Sequence, residues 1–302
     1  MALVFVAILI ALVLSHYLPE AWRLRDFGWL RSWQMQTAQP GNAPLGLALA
    51  IGLPVLVCAL VQWSLRGHVF GLPSLLFAIV ALFYCLGPRD LEHDVATIDN
   101  APDSDARAAA AQVLRDDDAA PALAFAAEPL IDATFAAALR RAFGVIFWFI
   151  LTGAFGAVLY RLAQLCARSR EASEMQRELA HKFVTALDWL PAHLIALALA
   201  LAADFDAVFK AWHDYHTAHG RGYFTLDLGF LDSVARASVD ADIADDGHAA
   251  DAANPLVALD DAMTLVRRAL IVWLAILALV VIAGWWSNLL RLRHAVTRMS
   301  RS

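Results

Sequence analysis

Three histidines, His213, His216 and His219, recur at a spacing of three in KAWHDYHTAHGRG (residues 210–222), with Asp214 and Tyr215 between them. Imidazole and carboxylate are common ligands of transition metals, so the stretch has the residue types of a metal site. On a helix, steps of three spread the rings over about 120° of arc. Adjacent pairs can share an ion, and all three only if the helix stops at His219. Gly220 and Gly222 supply such a stop. Asp214 lies about 100° from His213 and away from the other two, a poor place from which to orient any of them. The expectation is a polar helix outside the membrane, with Trp212 and Tyr215 at the interface and no bound metal or other cofactor. A metal site is the competing reading.

A second set lies in TALDWLPAHL (185–194), where Asp188, Trp189 and His193 surround Pro191 at the start of an apolar run. An ionisable group inside a membrane segment marks function by default, whereas an Asp just ahead of a proline-containing first turn is also an ordinary helix cap. A third set is LTGAFGAVLYR (151–161). On one helix Gly153 and Ala157 share a face and admit a close neighbour. Arg161 follows one turn on. It either snorkels to the interface or holds an anionic headgroup or phosphate, whose oxygens match the guanidinium fork. Arg161, Asp188, Trp189, His193 and Gly153 are therefore the candidate ligand-binding residues. No catalytic residue is assigned, because the chain has no G-x-x-x-x-G-K-[ST], no G-x-S-x-G and no H-E-x-x-H, and its only lysines are Lys182 and Lys210.

The elements that must position these residues are membrane helices. Hydrophobic residues make up 60% of the 302 and charged residues 17%, with a mean hydropathy of +0.58; soluble domains carry about a quarter charged residues. The net charge of −6 argues against a nucleic-acid partner. Cys58, Cys85 and Cys166 sit in or at the ends of apolar runs and form no C-x-x-C, as expected of small buried hydrophobes. Residues 45–62, 69–87, 142–160 and 269–287 read as spans. Residues 2–18 read as a retained anchor, and 189–203, interrupted by Pro191 and His193, as a span or a half-helix. Residues 20–35 place Trp22, Trp29 and Trp33 on a narrow arc away from Arg25 and Arg31, the pattern of an interfacial amphipathic helix.

The fold class expected is an all-α, polytopic helical integral membrane protein with five to six spans and one amphipathic interfacial helix, in a single membrane domain over 1–302. Residues 89–140 hold eleven acids against four arginines, and 204–268 hold twelve aspartates against five basic residues; both read as solvated, partly disordered loops outside the membrane. Asp116-Asp117-Asp118 lacks the spacing of a calcium loop. The tail 288–302 has only basic charges, and Arg161 to Lys182 is also basic, so both are expected in the cytoplasm together with the two termini.

Four strings in order, FGVIFWFILTGAFGAVLYRLAQ (143–164), LDWLPAHLIALALALA (187–202), FKAWHDY (209–215) and DLGFLDSVARASV (227–239), resemble the AmpE family, inner-membrane regulatory modulators of β-lactamase induction. That family in turn looks like a divergent relative of the membrane adenosylcobinamide-phosphate synthases. Here Leu162-Ala163-Gln164-Leu165-Cys166 stands where the synthases carry an acid-containing N-T-x-D element, and LIDATFAAALRRAFG (130–144) keeps Asp132 without the E-N-x-x-D pattern. What the resemblance implies is a bacterial inner-membrane modulator linked to cell-wall state and antibiotic resistance. It would act through a protein partner of wall-recycling signalling or a peptidoglycan- or lipid-derived ligand, with the lipid bilayer as its surroundings and without enzymatic activity of its own. A membrane synthase of cobalamin assembly and a small transporter are the alternatives; Pro54 and Pro73 interrupt two consecutive spans, but no internal repeat accompanies them.

Overall fold

The computed structural model describes residues 2–299 except 18–24, 26, 38, 40, 66–70, 88–89, 116–120, 219, 221–224 and 246–252. Trp22, His219 and Asp116 to Asp118 lie outside the described residues. The N-terminal part holds α1 (Ala2–Tyr17), α2 (Gly28–Thr37), α3 (Ala43–Ser64) and α4 (Leu72–Cys85). Then come α5 (Leu91–Asp99), α6 (Ser104–Ala111) and α7 (Ala127–Ala138), which runs through a π-turn at Leu139–Phe143 into α8 (Gly144–Thr152). The remainder is α9 (Ala154–Ala167), α10 (Glu174–Ala202), α11 (Phe205–Ala218), α12 (Gly229–Asp245) and α13 (Pro255–Met299).

Among the described residues, four helical units are long and apolar enough to cross a membrane: Ala43–Ser64, Ala127–Thr152, Glu174–Ala202 and Pro255–Ala283. Ala2–Tyr17, Leu72–Cys85 and Ala154–Ala167 are shorter apolar helices. The protein is all-α and polytopic, as its composition requires. α1 and α4 run parallel, since Leu3 lies against Gly71 at one end and His16 beside Asp90 at the other.

The stretch 142–160 departs from the expectation of one span. The chain reverses at Gly153, whose φ of 88° and ψ of −155° fall in a region that essentially only glycine enters. α9 then folds back along α8. Gly144 packs on Tyr160 so closely that a Cβ there would stand 2.2 Å from its ring, and Gln164 Nε2 donates to the Arg140 carbonyl at 3.1 Å. Gly153 is thus the N-cap of α9, one turn before Ala157, and not an interior residue of a single span. The groups opened by the break are satisfied by α3: Gln62 donates to the Thr152 carbonyl at 3.2 Å and accepts from Phe155 N–H at 3.2 Å. Such satisfaction is what non-helical backbone needs at membrane depth.

Residues 189–203 are the C-terminal half of α10, which a capping box of Ser173 and Gln176 begins and Pro191 does not interrupt. Asp188 is therefore a mid-helix residue and not a cap. The two acidic stretches hold far more helix than solvated loops would. α5, α7, α11 and α12 bury Ile98, Phe135, Val208, Phe230 and Val239, because enough apolar residues recur at helical spacing among the aspartates. In α2, Trp29 is exposed and Trp33 donates to the Ala50 carbonyl. Arg25 points inward instead of to headgroups, donating to the Gly87 carbonyl at 2.7 Å and to Ser15 Oγ at 3.0 Å.

Two apolar clusters form the core. One joins α1 to α4 with α8, α9 and the N-terminal half of α10. The other joins α5 and α7 with the C-terminal half of α10 and α11 to α13. The π-turn and residues 187–192 of α10 lie where the clusters meet.

Candidate functional site

The polar residues gather on that seam. A π-turn inserts one residue into a helix and rotates the turns beyond it, and such turns recur at functional sites. Here it holds two consecutive arginines. Arg140 Nε faces Asp188 Oδ2 at 3.5 Å, while Arg141 Nη1 meets Asp94 Oδ2 at 2.6 Å and its Nη2 donates to the Val113 carbonyl at 2.8 Å. Asp188 is 0% exposed. Its other oxygen accepts from the Tyr160 hydroxyl at 2.5 Å. A buried carboxylate persists as an ion only when paired and hydrogen-bonded. Arg140 supplies the charge and Tyr160 hydrogen-bonds one oxygen, while Oδ2, facing Arg140, has no hydrogen-bond partner among the described residues.

Arg161 is 5% exposed, so it does not snorkel. Its Nη1 donates to Gln164 Oε1 at 3.1 Å, and its guanidinium carbon lies 5.8 Å from the Phe27 ring. Its Nε has no hydrogen-bond partner, and no carboxylate among the described residues pairs with it. Gln164, 1% exposed, links Arg161 to the Arg140 backbone and so to Asp188.

Trp189 and His193 belong to a neighbouring aromatic layer. Trp189 Nε1 donates to the Thr225 carbonyl at 3.0 Å. The His193 ring lies 4.2 Å from Trp189, 4.4 Å from Phe230 and 5.5 Å from Trp212, with Nδ1 2.6 Å from the Trp189 carbonyl. His216 packs into the same layer and is 4% exposed. Trp212 Nε1 donates to its Nε2 at 3.1 Å, which occupies the lone pair a metal would need there. His213, on the same helix, is exposed. Of the three histidines that open the sequence analysis, the two described ones thus face different surroundings.

Beyond Arg140 the polar run continues between α7 and α12. Arg236 grips Asp132 with Nε at 2.8 Å and with Nη2, and holds Glu128 with Nη1 at 2.8 Å. Burial beside Asp132 pushes the Asp232 carboxyl up to about 6, with Arg236 and Arg140 opposing.

Asp188, Arg161, Trp189 and His193 are thus brought near one seam, whereas Gly153 lies at the far end of the α8–α9 hairpin. Arg140, Tyr160 and Gln164 carry the arrangement and were not among the residues the sequence singled out. The one signal for them was Arg140-Arg141 breaking an otherwise apolar run that begins at Phe135. Chemically the seam can hold an anion beside Arg161 and can shift protons or charge through Asp188.

The family model described as regulatory signalling modulator protein AmpE matches residues 5–286, and the chain belongs to this family. No curated protein and no solved structure matches the chain. The protein is a multi-pass membrane protein of a regulatory family, its helices surrounded by lipid.

Proposed function

We propose that this AmpE-family chain sits in the bacterial inner membrane and modulates β-lactamase induction. It binds an anionic wall- or lipid-derived ligand at Arg161, and the bound state reaches a protein partner through the seam. One observation carries this: Arg161 is a buried guanidinium whose described partners are an amide and an aromatic ring, not a carboxylate. A buried cation without a counter-charge costs several kcal/mol, roughly, and an anion seated beside it offsets that cost. Arg161 reaches the Arg140–Asp188 pair through Gln164, at the junction of two separately packed clusters. A ligand that binds the two packings of such a junction unequally shifts their populations.

The test uses a host lacking its own copy of the gene, a β-lactamase reporter and the variants Arg161→Lys and Arg161→Met. Both are expected to insert normally and to lose modulation, since an ammonium lacks the planar fork and a thioether has no charge. Thermal stability in detergent should fall by no more than about 1 kcal/mol in Arg161→Met, because no carboxylate among the described residues is left stranded and the loss of a buried charge offsets the hydrogen bond lost by Gln164. Wild-type modulation by both variants would remove Arg161 from the working site.

A further inference from the structure

A separate cluster closes the end of the bundle where α1, α5 and α13 meet. His16 Nδ1 lies 3.8 Å from Asp90 Oδ2 and 3.9 Å from Glu92 Oε2, and the three atoms are all within 4.8 Å of one another. Each carboxylate is divided between two tasks. Asp90 caps α5, its Oδ1 accepting from Glu92 N–H at 3.2 Å. Glu92 Oε1 pairs with Arg267 Nη2 at 3.3 Å. One oxygen of each is thus anchored by the protein, and the other is turned toward His16. Anchored outer atoms are what hold the inner atoms of a metal site in place. Around a first-row cation with bonds near 2.0–2.2 Å, ligand atoms stand roughly 3.3–3.6 Å apart, so His16 needs to approach each carboxylate by a few tenths of an ångström, and the two carboxylate oxygens, which lie within 4.8 Å of each other, draw together around the ion.

A second observation points to a ligand at the same place. The cluster borders a cavity of about 220 Å³ whose wall includes Ser15, Arg25 and Arg141. Arg25 is 7% exposed. Its two terminal nitrogens are held by Gly87 and Ser15 and its guanidinium lies 4.2 Å from the Phe83 ring, while its Nε has no hydrogen-bond partner among the described residues.

We propose that His16, Asp90 and Glu92 bind a divalent transition cation, and that this cation, with Arg25 behind it, takes a phosphate-type anion as its further ligand. Imidazole with two carboxylates suits manganese or zinc. His16 and Glu92 are partly exposed, at 58% and 41% for their side chains, which leaves coordination positions open for the anion. The site is distinct from Arg161 and does not depend on the role proposed for it.

The experiment titrates the purified full chain in detergent with Mn²⁺, followed by electron paramagnetic resonance and by the shift in melting temperature. The expectation is one Mn²⁺ per chain and a Mn²⁺-dependent rise in melting temperature. His16→Ala and Glu92→Gln should weaken binding by about tenfold or more. His16 is exposed, so His16→Ala without metal should melt as wild type does. Equal Mn²⁺ affinity in wild type and His16→Ala overturns the metal site. Mn²⁺ affinity is then measured with inorganic phosphate and, separately, with phosphatidic acid in nanodiscs. Tightening by either supports the anion and identifies its source as free or lipid-borne. Tightening by neither overturns that half of the proposal, whether or not Arg25→Gln, which should abolish the effect, can be purified.

Discussion

At the scale of single residues, Asp232 shows how a neighbour of like charge alters an ordinary aspartate. Its folded pKa of about 6 stands above the usual 3.8 because burial and Asp132 both disfavour its ionised form. Between pH 4 and 6, roughly, the folded protein holds a proton that the unfolded chain has released, so stability falls as pH rises through that window. The contribution is fully present below the ordinary carboxylate value and gone above the folded one. Asp232→Asn should therefore match wild type near pH 4 and exceed it at pH 7 by up to about 3 kcal/mol. Melting curves in detergent across that range measure this, and a pH-independent offset between the two proteins would sink it. Asp188 illustrates the other side of residue-scale reading. Its position before Trp189 and Pro191 marked it out, but its partners Arg140 and Tyr160 come from helices distant in sequence, and no local pattern pairs them.

At the scale of elements, the α8–α9 hairpin decides the most. The apolar run from Ala142 to Tyr160 has the length and composition of one crossing, and hydropathy cannot see a reversal inside it. Gly153 was visible as a small residue, yet its use is conformational. A side chain there meets a backbone region costing about 1–3 kcal/mol, and its Cβ would also lie 2.6 Å from the Gln62 amide nitrogen. Gly153→Ala should lower stability by at least that amount, read from unfolding in mixed detergent. Gln62→Ala should cost about 1–3 kcal/mol through the Thr152 carbonyl and Phe155 amide it leaves bare. Wild-type stability in Gly153→Ala would mean the helix does not reverse there. The π-turn is equally hidden from sequence, because a single added residue shifts the helical period too little to be seen in a run of alanines and leucines.

At the scale of the whole molecule, the hairpin rearranges the ends. Gln164 lies beside Arg140, and Cys166 accepts a hydrogen bond from Gln34, so the basic connection after α9 leaves the bundle at the end that carries Arg141 and Glu92. α13 passes Glu92 at Arg267 and reaches Phe143 and Phe147 at Trp273, heading toward the other end. Against the reading that Arg161 to Lys182 and the arginine-only tail share a side, the course of α13 leads us to expect opposite sides. In a chain freed of its own cysteines, Arg170→Cys and Asp103→Cys should react with an impermeant maleimide from one side of the membrane and Ser64→Cys from the other. Labelling of Arg170→Cys and Ser64→Cys from the same side would refute this arrangement. The sequence by itself determined the all-α membrane class and the AmpE family, because both rest on composition and on ordered local strings. It also marked Asp188, Arg161, Trp189 and His193, because charged and aromatic residues at the edges of apolar runs are conspicuous. Only the tertiary structure decided that 142–160 folds back on itself, that the acidic stretches are largely helical, and that Asp188 meets Arg140 and Tyr160 while Arg161 meets no carboxylate among the described residues. Those outcomes depend on contacts between residues far apart in the chain, and local periodicity holds no record of them.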